Sequence, residues 1–316
     1  MSSFGKTSTT DDVLEGKDLS GTRVFVTGAT SGLGKETVRA MAAKGAKVIL
    51  AGRNQETLDA AVGEINAANP EANLETIVCD LSSLESVRAC GAEARERFET
   101  IDLLINNAGV MATPKTHTKD GFESQFGTNH LGHFVLTKEL MPLVEAGTNK
   151  RIVNLSSRGH QIAPVNLEDP NFENRDYDPF LSYGHSKTAN VLFSVGLEQR
   201  FADKGIHAYA VHPGGINTNL GRHMDDKMRE GLMANILANE PDFQFKDEAQ
   251  GAATSCWAAT ADELEGIGGV YCEDCHVAEV DDENRRGGVR SYALDPNAAN
   301  QLWALSEEMT GTSFTA

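Results

Sequence analysis

The sequence predicts an α/β fold, a doubly wound parallel sheet in a single domain, and three observations predict it. Short apolar runs alternate with amphipathic stretches from residue 23 to about residue 271. The runs are almost continuously apolar, as in strands covered on both faces by helices. A glycine-rich turn joins the first run to the first helical stretch, where such sheets bind ligands outside the carboxyl ends of their strands.

The elements follow in order. Residues 23–29 are β-branched and aromatic and form the first strand. Residues 33–44 have helical spacing, and Gly45 ends them as a C-terminal glycine. Residues 47–51 are the second strand, followed by a helix to about residue 68 and a stop at Pro70. Strands three and four fall at 74–79 and 101–105, with a helix at 84–98 between them. A long helix at 124–144, a strand at 151–155, a helix at 182–201, a strand at 206–211 and a last strand at 269–271 complete the pattern. Residues 163–180 carry three prolines and many acids, so they are expected to be a loop. Residues 215–245 are rich in Met, Asn and charge and are expected to form a mobile helical flap. The division is then a polar arm at 1–20, the domain proper at 21–275, and a C-terminal extension at 276–316 packing on it.

Composition narrows the function. A chain of 316 residues, 40% hydrophobic, buries a full core without disulfides or metals. With 46 acids against 28 bases the net charge is −18, which argues against nucleic acid or an anionic membrane as the main partner. Five scattered cysteines are no disulfide framework and point to a reducing compartment. The first twenty residues lack the apolar run of a signal peptide, and no stretch is long and apolar enough to span a membrane. The expectation is a soluble cytoplasmic protein.

The first strand runs into Thr27-Gly28-Ala29-Thr30-Ser31-Gly32-Leu33-Gly34, directly before a helix. Gly28 permits the tight turn, Gly32 lets backbone approach a pyrophosphate, and Gly34 allows close helix–strand packing. Exposed amides at the helix start then receive the negative charge, the arrangement of a Rossmann-fold dinucleotide site. The second strand ends Ala51-Gly52-Arg53-Asn54. Gly52 carries no charge to repel a 2′-phosphate and Arg53 can grip one with its planar fork, so NADP(H) is the expected cofactor. An ordinary solvated charge is the competing reading of Arg53, and it is the preferred reading of Lys35. Asp80, before Leu81, stands where a carboxylate accepts from an adenine amino group, or else it caps a helix. Asn106-Asn107-Ala108-Gly109 follows strand four, against the adenosine ribose.

Tyr183-Gly184-His185-Ser186-Lys187 begins a helical segment in which Tyr183 and Lys187 share a face. A phenol of pKa about 10 exchanges its proton poorly at neutral pH, and a nearby ammonium stabilises its phenolate. Ser157 can hydrogen-bond a substrate oxygen as charge develops there; Ser156 is its rival. Asn129 lies in a long helix, where Asn has poor propensity and needs a reason. It can hold a water that relays protons from Lys187.

These segments together resemble the short-chain dehydrogenase/reductase family, across roughly residues 20–275. The resemblance implies Tyr183 as catalytic acid/base, Ser157 as substrate-polarising and Asn129 as support of the relay. Lys187 would bind the nicotinamide ribose and lower the tyrosine pKa. Pro213 and Gly214 would line the nicotinamide, and Thr218 its carboxamide or the pyrophosphate. Asn129-His130-Leu131-Gly132-His133-Phe134 and Tyr183-Gly184-His185-Ser186-Lys187-Thr188-Ala189-Asn190 are similar to the retinol dehydrogenase and WW-domain oxidoreductase branch. So is the long spacer between Ser157 and Tyr183. That branch implies alcohol–carbonyl interconversion on bulky or lipophilic small molecules, and association as a homodimer or homotetramer through the two long helices.

Cys272-Glu273-Asp274-Cys275-His276 has the spacing of a c-type haem attachment. It follows the last strand of a protein read as cytoplasmic, so neither haem nor a metal is expected there. Epimerisation or double-bond reduction on the same scaffold are rival chemistries. A catalytically idle NADP(H)-sensing or scaffold protein is the rival of another class, and the Ser157, Tyr183 and Lys187 set argues against it.

Overall fold

The computed structural model describes residues 4–284 and 286–314. Its strands are β1 (Arg23–Thr27), β2 (Lys47–Gly52), β3 (Asn73–Val78), β4 (Leu103–Asn106), β5 (Arg151–Leu155), β6 (His207–His212), β7 (Val270–Glu273) and β8 (His276–Val277). They form one sheet in the order β3-β2-β1-β4-β5-β6-β7-β8, parallel except for the final β7–β8 pair. Strand order reverses between β1 and β4, which opens a crevice above their carboxyl ends. Six strands differ from their sequence-read spans by one or two residues at an end. The apolar character that marked Ala29, Cys79, Ile101 and Ile206 reflects burial, which continues past the last ladder bond.

The helices are α1 (Thr10–Val13), α2 (Gly32–Ala42), α3 (Gln55–Ala68), α4 (Leu84–Arg97), α5 (Ser124–Phe126), α6 (Gly132–Glu145), α7 (Pro179–Phe201), α8 (Asp226–Asn239), α9 (Glu248–Thr260) and α10 (Pro296–Thr310). One face of the sheet is covered by α2, α3 and α9, with Val38, Met41, Leu58 and Trp257 in its core. The other is covered by α4, α6 and α7, around Phe25, Val87, Phe134 and Leu197.

Four features depart from the sequence reading. The long helix is interrupted by a π-helical turn, Gly127–Leu131, between α5 and α6. Helix α7 starts at Pro179, inside the segment read as a loop. Pro179 occupies its first turn, where a missing N–H does no harm, and the Asp178 carboxylate caps it. The Cys272–His276 segment is a two-residue hairpin joining β7 to β8. Its central residues Asp274 (φ 46°) and Cys275 (φ 58°) are both left-handed, as a type I′ turn requires. The N-terminal segment read as a polar arm carries α1, opened by a capping box at Thr9, and Val13, Leu14 and Leu19 enter the core.

The flap region forms a 3₁₀ turn, Asn219–His223, and α8, which has no buried residue. At the other end of the chain, α10 packs on α7. Trp303 reaches Phe134 (5.1 Å) and Phe314 (4.6 Å), with the Arg200 guanidinium 4.2 Å above its ring. Leu302 and Ala299 cover Leu192 and Val195 of α7. One side of α7, one of the two helices expected to serve self-association, is therefore covered by α10. Replacing Trp303 with Ala should destabilise the domain by about 3–5 kcal/mol, read from urea unfolding. An unchanged midpoint would mean that α10 is not part of the core.

Candidate functional site

The chain leaves β1 at Thr27 and turns through Gly28 into α2. A Cβ at Gly28 would lie 2.9 Å from Ala108 Cα, and one at Gly34 only 2.3 Å from the Gly28 carbonyl oxygen. Both positions are closed by packing. Gly32 (φ 55°) is different: its nearest neighbour would be a Thr218 methyl at 3.7 Å, with Glu248 Oε1 at 3.9 Å. Ser31 precedes α2 but makes no side-chain cap, and the first turn holds no acid. Asn54, Ser83, Asp178, Asp225, Asp247 and Asp295 all cap their helices. An open helix start with uncapped amides suits an anion, so these residues fit a dinucleotide pyrophosphate. Leu33 leans on α9 at Gly251, which leaves its backbone to the crevice.

At the end of β2, a Cβ on Gly52 would meet Thr30 Cγ2 and Leu58 Cδ2, both at 3.1 Å. An acid at position 52 would have to displace them. Arg53 is exposed and makes no ion pair with a described residue, whereas Lys35 is bound to Glu64 at 2.7 Å. Arg222 and His223, on the 3₁₀ turn of the flap, lie close enough to Arg53 for its charge to depress their pKa values, after the effect of burial. Sequence reading missed Arg222 and His223, because nothing in the flap's composition shows that it folds back to β2. Asp80 does not cap α4, which Ser83 does. Its carboxylate accepts from Ser82 N (3.1 Å) and Ser82 Oγ (2.7 Å) and pairs with Lys119 at 3.4 Å. Leu81 is buried, so only its backbone faces outward.

The Thr27 hydroxyl accepts from the amides of Asn107 (2.9 Å) and Ala108 (3.0 Å). His133 Nδ1 donates to the Asn129 carbonyl at 2.9 Å, which leaves Nε2 to accept from the Thr27 hydroxyl, also at 2.9 Å. Burial holds this imidazole down to a pKa of about 4, so it stays neutral. Asn107 Nδ2 donates to the Thr27 carbonyl at 2.8 Å. Together these bonds fix the Asn107–Ala108–Gly109 turn to β1 and to the π-helical turn. Asn129 itself is fully buried. It accepts from Val110 N (2.8 Å) and donates to Val110 O and Ser186 Oγ (2.9 Å each). Its side chain thus positions a loop and α7 and makes no direct bond to Lys187. The two are neighbours across Gly109, where a Cβ would lie 3.3 Å from Asn129 Oδ1 and 3.6 Å from Lys187 Nζ.

Ser157, Tyr183 and Lys187 meet beside that turn. Ser156 is excluded from the meeting, since its hydroxyl donates to the Lys187 carbonyl at 2.8 Å inside the protein. Ser157 is half-buried, accepts from Gly159 N at 3.0 Å, and lies close enough to the Tyr183 hydroxyl to favour its phenolate. Lys187 Nζ stands 5.5 Å from the Tyr183 ring centroid and donates to the Leu155 carbonyl at 2.9 Å. Burial dominates both ionisations. It pushes the Tyr183 phenol up to about 12, against the lowering effect of Ser157, and drops Lys187 to about 7. The expected lowering of the tyrosine is therefore not present in the protein alone: a lysine near neutrality by day-to-day pH offers only a partial charge. Pro213 and Gly214 follow β6 on the same side of the sheet, and Lys246 Cδ would touch a Gly214 Cβ at 2.8 Å. Thr218 lies by Gly32, at the pyrophosphate end of the crevice.

Comparison with known proteins fits this geometry. The short chain dehydrogenase family profile matches residues 22–229. A Streptomyces lividans protein named "Probable oxidoreductase" is 44% identical over 291 residues, covering 90% of this chain and 96% of its own. Retinol dehydrogenase 14 of Mus musculus is 37% identical over 304 residues, 93% of this chain and 87% of its own. A solved structure of an uncharacterized protein from Mycobacterium paratuberculosis, 36% identical, superposes with a TM-score of 0.74 over 98% of this chain and 100% of the other.

In the protein without ligand, isotope-labelled tyrosine NMR should find Tyr183 protonated through pH 10, as its pKa of about 12 requires. Ser157→Ala should move its titration higher still, by removing a neighbour that favours phenolate. Titration near pH 7 in the free protein would contradict the burial seen here.

Proposed function

Because the chain belongs to the short-chain dehydrogenase/reductase family, in its retinol dehydrogenase-like branch, we propose that it uses NADP(H) to interconvert an alcohol and a ketone or aldehyde. The observation that carries this reading is the buried meeting of Ser157, Tyr183 and Lys187 beside an uncapped helix start.

Gly28, Thr30, Ser31, Gly32, Leu33 and Gly34 would frame the pyrophosphate, with Thr218 over them. Asp80, Leu81, Asn107, Ala108 and Gly109 would lie along the adenosine, and Pro213 and Gly214 along the nicotinamide. When bound, the cofactor supplies or accepts the hydride. In carbonyl reduction the Tyr183 hydroxyl gives its proton to the substrate oxygen while the Ser157 hydroxyl hydrogen-bonds that oxygen. The phenolate left behind faces Lys187, and the two ionisations support each other. A negative charge there holds the proton on Lys187, and the ammonium in turn favours phenolate. In alcohol oxidation the same residues run in reverse.

Arg53, with Arg222 and His223 beside it, supports the preference for NADP(H): two arginines without a carboxylate partner among the described residues attract a 2′-phosphate. A bulky, partly lipophilic substrate agrees with exposed apolar side chains on the segment after Ser157 and on the flap, Ile162 (49%) and Leu237 (43%), and with the retinol dehydrogenase relatives. Five unpaired buried cysteines suit a cytoplasmic setting. No helix among the described residues is long and apolar enough to cross a membrane. A homodimer or homotetramer would need a surface other than the α7 face under α10.

Purified protein should oxidise NADPH with bulky ketones or aldehydes, and Tyr183→Phe should lower kcat at least a hundredfold while NADPH affinity is kept. Tight NADPH binding with no turnover across the panel would leave a cofactor-sensing protein instead. Arg53→Asp should lower the ratio of NADP to NAD kcat/KM by about 10- to 100-fold, the size of one lost charge-assisted contact. Arg222→Ala should lower it in the same direction. An unchanged ratio in both variants would discard the 2′-phosphate assignment.

A further inference from the structure

His212 ends β6 and is only 7% exposed. Its Nδ1 accepts the backbone N–H groups of Arg158 (3.2 Å) and Gly214 (3.4 Å). A nitrogen that accepts carries no proton, so in the neutral ring the proton is on Nε2. The ring is neutral because burial, with Arg158 and Lys246 nearby, holds its pKa well below the ordinary histidine value. That Nε2–H is buried and has no partner among the described residues. An unmet buried donor costs about 1–3 kcal/mol, a strain that a functional site can retain.

His212 lines a cavity of about 150 Å³ together with Arg158, Gly214, Gly215 and Lys246. Arg158 directly follows Ser157 in the chain, and Gly214 follows the carboxyl end of β6. A second orphan lies on the same face of the sheet. Ala210 pairs with Tyr271 and His212 with Glu273, and residues two apart point the same way. The Tyr271 hydroxyl is buried without a partner among the described residues, in the neighbourhood of Tyr183 and Arg158. The cations here outnumber the carboxylates. Lys6, Arg158, Lys246 and Arg286 face Glu240, Glu273 and Asp274, and burial raises the Glu273 pKa and so favours its neutral form. In a chain of net charge −18 that is a local inversion.

We propose that His212 Nε2–H is a specificity-determining donor that receives a second oxygen function of the substrate, beyond the carbonyl held by Ser157 and Tyr183. The substrate class is then bifunctional: a bulky carbonyl compound whose other oxygen, in a carboxylate or a neutral carbonyl, enters the cationic cavity. The inference rests on the reading of Ser157, Tyr183 and Lys187 as the carbonyl site.

Two measurements test it. Nitrogen-labelled histidine NMR of the free protein should show His212 neutral and protonated on Nε2 between about pH 5 and pH 8; an Nδ1–H tautomer or an imidazolium overturns the donor assignment, whatever the enzyme reduces. With NADPH, aldehydes of one chain length ending in a methyl group, a ketone or a carboxylate should differ in kcat/KM by at least about tenfold in favour of the oxygen-ended pair, chiefly through KM. The carboxylate-ended compound leading the ketone identifies the anion; equality of the two identifies a neutral acceptor. His212→Asn, which keeps an acceptor near Nδ1 and loses the deeper donor, should bring the ratio to about 1. Equal kcat/KM for all three in the wild type, or a ratio that survives His212→Asn in a variant with wild-type thermal unfolding, overturns the proposal. Failure of every aldehyde, with the Nε2–H tautomer present, counts against the carbonyl reading itself; the donor assignment then stands or falls on whether the Nε2 resonance shifts when the carboxylate-ended compound is added.

Discussion

Lys187 is an amine taken out of water whose hydrogen-bond partner among the described residues is the Leu155 carbonyl at the end of β5. Burial has brought its pKa to about 7, so its charge is undecided in the protein alone and is set by what enters the crevice. The surrounding construction serves to keep it there. Asp178 and Pro179 start α7 early enough for Tyr183 and Lys187 to fall in well-formed helix. The hydroxyl of Ser156 ties the Lys187 carbonyl to β5, and Asn129 holds Ser186 and the Val110 loop. A negative charge at Tyr183 raises the lysine and is itself favoured by it, so the pair is a proton reservoir that responds to its contents.

The fold and the reacting pair were legible in the sequence because each depends on local pattern. Apolar runs mark buried strands whatever lies beyond them, and the spacing of Tyr183 and Lys187 fixes a shared helix face. The choice between Ser156 and Ser157 was not legible. Adjacent residues on a strand end point to opposite sides, and only the position of α7 decides which side is the crevice. Asn129 was found by its poor helix propensity, but the bonds its side chain makes were not legible. The π-helical turn that frees it from helical hydrogen bonding leaves no simple sequence mark, and its side chain is spent on Val110 and Ser186. The hairpin at Asp274 and Cys275 was hidden by a motif-like spacing, and a two-residue β8 is too short to leave a period. Arg222 and His223 were out of reach for another reason. Their value comes from a long-range return of the chain over β2, which composition cannot encode.

The crevice has two ends, and both run against the charge of the whole. A chain with eighteen excess negative charges repels a dinucleotide phosphate at long range. Beyond about 8 Å at physiological salt that repulsion is screened, so the close field decides binding. At one end the close field comes from Arg53 and the flap residue Arg222. At the other it comes from Arg158 and Lys246, each already paired with an acid, Glu240 at 3.0 Å and Asp274 at 2.6 Å. The difference between unpaired and paired cations has a consequence for what each end can hold. Unpaired arginines suit a doubly charged phosphate, whose gain is large enough to order exposed side chains. Paired cations beside a neutral donor suit a weaker acceptor, since the positive potential is partly spent before a ligand arrives.

The flap connects the two ends. Its 3₁₀ turn carries Arg222 beside Arg53, and the C-cap of α8 is Glu240, held by Arg158 next to Ser157 and by Lys6 of the N-terminal segment at 2.7 Å. No residue of α8 is buried, so apolar packing contributes little to its position and the contacts at its two ends contribute more. A phosphate drawing Arg222 toward Arg53 would act on the same segment that Glu240 anchors beside Ser157. The two ends of the crevice are in this way joined along the chain by one exposed helix, held at its C-cap by Arg158 and Lys6.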